Sequence, residues 1–324
     1  MRAPEFWSDA GGAGRWLAPL ALLHGAASRC RRRWTTPWRA PVPVICVGNL
    51  VAGGAGKTPV ALALGLLLRE SGHDLHYLSR GHGGRLRGPV LVDSARHDAR
   101  DVGDEAFLLA EIAPCWIARD RVAGARAAIV AGARIIVMDD GFQNPSLAKD
   151  LSLLVIDGGY GFGNGLVMPA GPLRETRQDG LARSDAVVLM EPDTCGVAQA
   201  LGQSAPPILA ARLVPLPSAQ RFSGRKVLAF AGIGRPEKFF AFLEDLGCIL
   251  VGRHGFDDHH CYRDDEIFQL VEAAHAANAV PVTTAKDYAR LNLDSRAMVE
   301  VAGAALEWRN PAQIETLLAR LLDA

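Results

Sequence analysis

One stretch constrains the rest of the chain: "VICVGNLVAGGAGKTPVALAL", Val44 to Leu64. Val44 to Val47 read as a buried strand, a glycine-rich turn follows, and Pro59 to Glu70 read as a helix with Pro59 in its first turn, where a missing N–H costs least. Strand, Gly-Lys-Thr turn and helix together make a phosphate cradle, because successive backbone N–H groups and the helix N-terminus converge on an anion. Gly53, Gly54 and Gly56 give the backbone around Ala55 its freedom. Lys57 can reach the β- and γ-phosphates, and the Thr58 hydroxyl can sit on Mg2+. The usual pattern, G-x-x-x-x-G-K-[ST], asks for glycine where Val51 stands. That change affects how the loop is entered, not the groups that hold the phosphates.

The downstream pattern is of the same kind. Apolar strands at Leu75 to Leu78, Arg134 to Met138, Leu153 to Ile156 and Ala186 to Leu189 alternate with helices at Gly103 to Ile112 and Arg121 to Ala131, the latter closed by Gly132. This rhythm predicts an α/β fold: a P-loop NTPase-like parallel sheet covered on both faces. In "ARIIVMDDGFQN" the apolar run ends in Asp139 and Asp140, placing a carboxylate at the C-terminal edge of a strand, beside the loop and its metal. Residues 203 to 224, with "QSAPP", "PLPS" and "SGRK", read as a linker. The rhythm then restarts with a strand Lys226 to Ala231, a turn "GIGRP", a helix Glu237 to Leu246, and strands Cys248 to Val251 and Val280 to Thr284. A chain of 324 residues is long for one core. The expected division is an N-terminal segment 1–40, a P-loop domain 41–218 and a second, smaller α/β domain 219–324.

Charge and cysteines exclude some classes. Lys plus Arg and Asp plus Glu both total 35, so no global field favours a nucleic acid. Six cysteines lie scattered without a C-x-x-C pair, which argues against a disulfide framework and for a reducing compartment. Crowding of His254, His259, His260 and Cys261 in "HGFDDHHC" raises zinc, but adjacent ligands suit its tetrahedron poorly. The first forty residues are uneven: they hold Arg2, Arg15, Arg29, Arg31, Arg32, Arg33 and Arg39 and no acid after Asp9. "RWLAPLALLHGAASRCRRRW" is too short to span a bilayer. A phosphate loop so soon after it argues against a signal peptide. Two readings stand: a helix in the membrane interface, with Trp16, Leu17, Leu20, Leu23 and Trp34 dipping in and arginines meeting anionic headgroups, or an amphipathic helix packed on the body.

Several P-loop classes remain. A membrane-associated switch ATPase would carry K-G-G-x-G-K-[ST], and Ala52 stands where its first lysine belongs. No N-K-x-D motif reads guanine, which favours ATP. A soluble P-loop kinase or ligase for a small metabolite is the other alternative.

The ordered motifs resemble the tetraacyldisaccharide 4'-kinase (lipid A 4'-kinase) family: "PVICVGNLVAGGAGKTP" (43–59), "LSRGHGG" (78–84), "VGDEAFLLA" (102–110), "DDGFQN" (139–144), "MPAGPLRE" (168–175), "AGIGRPEKFF" (231–240), "FDDHHCY" (256–262) and "TTAKD" (283–287). Each is weak alone, and eight in this order are specific. The resemblance implies phosphorylation by ATP and Mg2+ of the 4'-hydroxyl of a lipid disaccharide at the cytosolic face of the inner membrane, without nucleic acid or an obligate protein partner. Asp104, opening a helix whose N-terminus keeps it ionised, is the candidate base. By resemblance His259 pairs with it when the domains close. Glu105 and Glu175 are candidates for the metal and its waters, beside Thr58, Asp139 and Asp140. Arg121 and Arg174 are candidate phosphate holders, and Gln143 meets nucleotide or substrate. Ser79 and Arg80 lie at a sheet edge where ligands bind. His82, Asn144 and Ala285 depart from the family pattern, and Ala285 removes a carboxylate from its position.

Overall fold

The computed structural model describes residues 4–7, 14, 16–203 and 205–322. Arg2, Asp9 and Arg15 of the uneven N-terminal segment lie outside them. The expected strands and helices form with their ends shifted by a few residues. Strands β1 (Val44–Gly48), β2 (Leu75–Ser79), β3 (Val90–Leu91), β4 (Cys115–Ile117), β5 (Ile135–Asp139), β6 (Leu151–Asp157), β7 (Ala186–Met190), β8 (Ile208–Pro215) and β13 (Ala304–Trp308) make one sheet, in the order β13-β8-β7-β6-β1-β5-β2-β4-β3. Its interior strands are parallel and its two edge strands antiparallel. Every residue of β1 and β5 is buried, as a parallel sheet covered on both faces requires. One face packs Val60, Leu64 and Leu68 of the helix Lys57–Glu70, and the other packs Ala125 and Ala128 of the helix Arg121–Val130. A second, all-parallel sheet has the order β10-β9-β11-β12, from β9 (Lys226–Ala231), β10 (Ile249–Gly255), β11 (Val280–Thr283) and β12 (Glu300–Val301).

Two readings are corrected. Residues 203 to 224 are not a linker throughout: β8 occupies the middle of the segment, because the "ILAARLVP" run between its prolines pairs with β7 and is capped by the short helix Pro217–Phe222. The chain past 304 does not stay with the smaller sheet expected over 219–324. β13 pairs with β8, and Ile314 and Leu318 of the helix Pro311–Leu322 enter the core of the large sheet. The smaller sheet is thus held at both of its chain ends.

Candidate active site

The loop leaves β1 at its C-terminal end, the edge where parallel sheets bind ligands. Gly53 and Gly56 take φ of +118° and +87°, which a side chain would strain, and Gly56 caps the helix Lys57–Glu70. The register sets Val47 of β1 beside Asp139 of β5, so the aspartate pair emerges next to the loop. Thr58 Oγ1 donates to Asp139 Oδ2 at 3.3 Å, and Lys57 Nζ lies 3.2 Å from Asn49 Oδ1 and 3.6 Å from Asp140 Oδ1. Asp139 Oδ1 is buried without a hydrogen-bond partner. An unpartnered buried carboxylate oxygen, opposite one that meets the loop threonine, fits a hard divalent cation. Burial pushes the Asp139 carboxyl up, and the Glu105 carboxylate adds to that. Asp140 goes the other way: burial is outweighed by Lys57 and by Arg174, and its carboxyl falls to about 2. Asp140 sits at φ +55°, a left-handed conformation uncommon outside glycine.

Asp104 opens the helix Asp104–Leu109 after Gly103 and its side chain is 3% exposed. Its carboxylate faces three groups from the smaller sheet. His259 Nδ1 lies 3.2 Å away, Arg290 Nε donates at 2.9 Å, and Lys286 Nζ lies 3.9 Å away, closer to Glu105 at 2.8 Å. Burial would raise the Asp104 carboxyl, but the His259 hydrogen bond and the charges of Lys286 and Arg290 outweigh it and hold the group well below the usual carboxylate range. His259 also sits in the left-handed region, at φ +58°. The edge of the His82 ring packs against it, with centroids 5.3 Å apart. Arg290 was not expected. Its guanidinium reaches Gly232 O at 2.6 Å and Asp287 Oδ1 at 2.9 Å, and Asp287 in turn accepts from Tyr262 and the Gly232 amide. Asp287, fully buried, therefore orients the arginine that holds Asp104.

A carboxyl with a depressed value contributes stability that is present above its unfolded value of 3.8 and is lost as pH falls toward the lower folded value. The difference in thermal midpoint between the chain and Asp104→Asn should stay constant from neutral pH down and shrink only below about pH 4. Shrinkage already near about pH 6 would mean that Asp104 is raised rather than held down.

The remaining candidates divide. Arg174 makes a contact to Asp140 at 3.0 Å, and Gln143 donates to Asn49 O at 2.8 Å, so both line the aspartate pair and the loop exit. Arg121 is buried, with Nε unpartnered, and burial lowers its guanidinium to about 10. Ser79 is buried at the end of β2, and Arg80 beside it is exposed. Glu175 does not join the loop carboxylates. It is engaged by Arg183 and by Arg32 at 3.0 Å and accepts from Gln143, which ties the N-terminal helix to the body. The histidine and cysteine cluster does not form: His260 pairs with Glu266 and stacks on Phe256, and Cys261 is exposed. Asn144 caps its own turn, accepting from the amides of Ser146 and Leu147. Ala285 starts the short helix Ala285–Tyr288, whose Lys286 and the following Arg290 carry the contacts.

The N-terminal helix Ala18–Trp34 buries Ala21 and Gly25 and turns large apolar groups outward. Trp16 is 87% exposed, Leu22 72%, Leu23 67% and Trp34 84%. Leu22 thus joins the face expected for Trp16, Leu20, Leu23 and Trp34, while Leu17 is half-buried. Among the described residues no helix is long and apolar enough to cross a membrane.

Comparison with known proteins narrows the class. The family model for tetraacyldisaccharide-1-P 4'-kinase (LpxK) matches residues 13–323. A tetraacyldisaccharide 4'-kinase of Rhodospirillum centenum is 56% identical, with all of this chain and 97% of that protein covered. Its counterpart in Rhodospirillum rubrum is 53% identical over 99% of this chain and 98% of its own. A crystal structure of Aquifex aeolicus LpxK in complex with ATP is similar at a TM-score of 0.75, over 96% of this chain and 99% of that one; at 24% identity this speaks for the fold. With the family model matched over residues 13–323 and relatives more than 50% identical over nearly the whole chain, the chain belongs to the tetraacyldisaccharide 4'-kinase family.

Proposed function

We propose that this chain transfers the γ-phosphoryl group of ATP to the 4'-hydroxyl of a tetraacyldisaccharide 1-phosphate, with Mg2+, at the cytoplasmic face of the inner membrane. The single observation that carries the chemistry is the position of Asp104: a buried carboxylate at the start of the helix Asp104–Leu109, met by His259 and Arg290 from the segments that follow β10 and β11. Phosphoryl transfer is mostly positioning and charge neutralisation. Lys57 and the loop amides hold the β- and γ-phosphates. Thr58 and Asp139 would hold Mg2+, which when bound neutralises charge on the phosphate oxygens. Asp104 orients the sugar hydroxyl and accepts its proton. A carboxylate as stabilised as this one is a weak base, but in a loose transition state the proton leaves late, so aiming the hydroxyl is the larger share of its work. His259 keeps that carboxylate turned toward the gap.

Delivery of a lipid is supported by the N-terminal helix. Its exposed tryptophans and leucines would enter the interface, while Arg29 and Arg32 are spent on Asp179 and Glu175 and fix the helix to the kinase body. Replacing Trp16, Leu20 and Leu23 together by serine should lower vesicle binding by at least about tenfold, since each apolar side chain removed forfeits roughly 1.5 kcal/mol or more of burial. ATP binding should be unchanged. Equal sedimentation of parent and variant with anionic vesicles would contradict the assignment of this face. The activity itself is tested by incubating the purified chain with MgATP and a tetraacyldisaccharide 1-phosphate in detergent. The expected product is the lipid carrying one further phosphoryl group at the 4' oxygen. Folded, ATP-binding protein that leaves the lipid unchanged would refute the proposal.

A further inference from the structure

His259 and Arg290, on separate segments of the smaller unit, meet Asp104 and enter the chemistry above; a further segment of that unit meets the phosphate loop itself. That segment is Gly232 to Lys238, which leaves the C-terminal end of β9 and opens the helix Pro236–Asp245. It lies directly on the phosphate loop. A Cβ at Gly234 would stand 3.1 Å from the Gly54 amide nitrogen, closer than side chains usually pack, and Arg235 next to it donates through Nη2 to Gly54 O at 3.4 Å. The Arg235 guanidinium also lies over the Tyr160 ring, 5.2 Å from its centroid, and pairs with Asp157. Asp157 ends β6, the strand next to β1, and Lys238 reaches the same carboxylate. Two cations converge there on one buried carboxylate, at the rim of a loop shaped to hold anions. Burial lowers Arg235 to about 10, and burial with the Arg235 charge lowers Lys238 to about 8, so both cations sit in a poorly solvated place.

We infer that Arg235 is a phosphate-binding residue: it moves from Asp157 and the Gly54 carbonyl onto the terminal phosphate of a nucleoside triphosphate in the loop, with Lys238 left to neutralise Asp157. Gly54 belongs to the same loop as Lys57, the side chain that reaches the β- and γ-phosphates, so the guanidinium already rests on the phosphate loop. A planar fork on a γ-phosphate carries charge that a diphosphate does not offer. Arg235 thereby makes the fit of the smaller sheet over the loop depend on which nucleotide is bound. This rests on the ATP site proposed above, but it is read from nucleotide binding and not from lipid phosphorylation.

The test measures dissociation constants of MgATP and MgADP by titration calorimetry for the full chain, Arg235→Ala, Arg235→Gln and Arg235→Lys. The expected result is that Arg235→Ala and Arg235→Gln weaken MgATP by about tenfold or more and MgADP by less than about threefold, with Arg235→Lys recovering part of the loss. Retained MgADP binding shows that each variant is folded. Equal weakening of both nucleotides, or no weakening of either, would overturn the role. Lack of nucleotide binding by the parent would instead refute the kinase reading beneath it.

Discussion

Lys57→Ala is expected to lower kcat for phosphoryl transfer by about 10²–10³-fold, the usual loss when one preorganised donor to a developing charge is removed. The side chain is placed for that job by the loop itself: Gly56 takes the left-handed turn that starts the helix, and Asn49 and Asp140 hold the ammonium over the cradle. Removing it leaves Asp140 with Arg174, so the aspartate is not stranded and the fold should survive. Thermal unfolding checks the fold, and initial rates at saturating lipid check the chemistry. Activity within about twofold of the parent would mean that this loop does not carry the triphosphate.

The second large effect concerns Asp104. Asp104→Asn should lower kcat by about 10²–10⁴-fold, the range for loss of a positioned general base, while the KM for MgATP changes little. Asparagine keeps the shape and one acceptor oxygen for Arg290, whereas alanine would leave that buried guanidinium facing a void. Arg290 keeps Asp287 as its charge partner in both variants, but the void left by alanine mixes folding with chemistry, so the asparagine variant is the cleaner probe. Rates in the parent range with Asp104→Asn would assign the carboxylate to domain docking alone.

How far the sequence discloses this molecule depends on how local the signal is. The loop is legible because strand, glycines, lysine and threonine are contiguous and their chemistry does not wait for a partner. Asp139 and Asp140 follow from an apolar run that ends in acid, and the sheet register explains why they land beside Thr58. Asp104 and His259 are another matter. Nothing in "VGDEAF" or "FDDHHCY" says that the two meet, and the resemblance to a family, not periodicity, joined them. Arg290 left no signal. Standing 186 residues from Asp104, it reads as an ordinary arginine after a short helix, and its role appears only once Asp287 and Gly232 turn it across the gap. β8 was hidden for a different reason: prolines at both of its ends mimic a linker, and the alternation inside "ILAARLVP" is that of a strand near a sheet edge. The return of β13 to the large sheet is a long-range pairing that no local pattern announces.

The central claim is that a triphosphate lies in the loop 53–58 with its terminal phosphate facing Asp104. A crystal structure of the chain with a non-hydrolysable ATP analogue and Mn2+ in place of Mg2+ tests it most directly. The account predicts the γ-phosphorus beside Lys57 Nζ on the side that opens toward Asp104, and the anomalous Mn2+ peak at Thr58 and Asp139. A nucleotide seated instead in the cavity of about 500 Å3 lined by Gly159 to Gly165, Arg177 and Cys195, with Mn2+ away from Asp139, would contradict it.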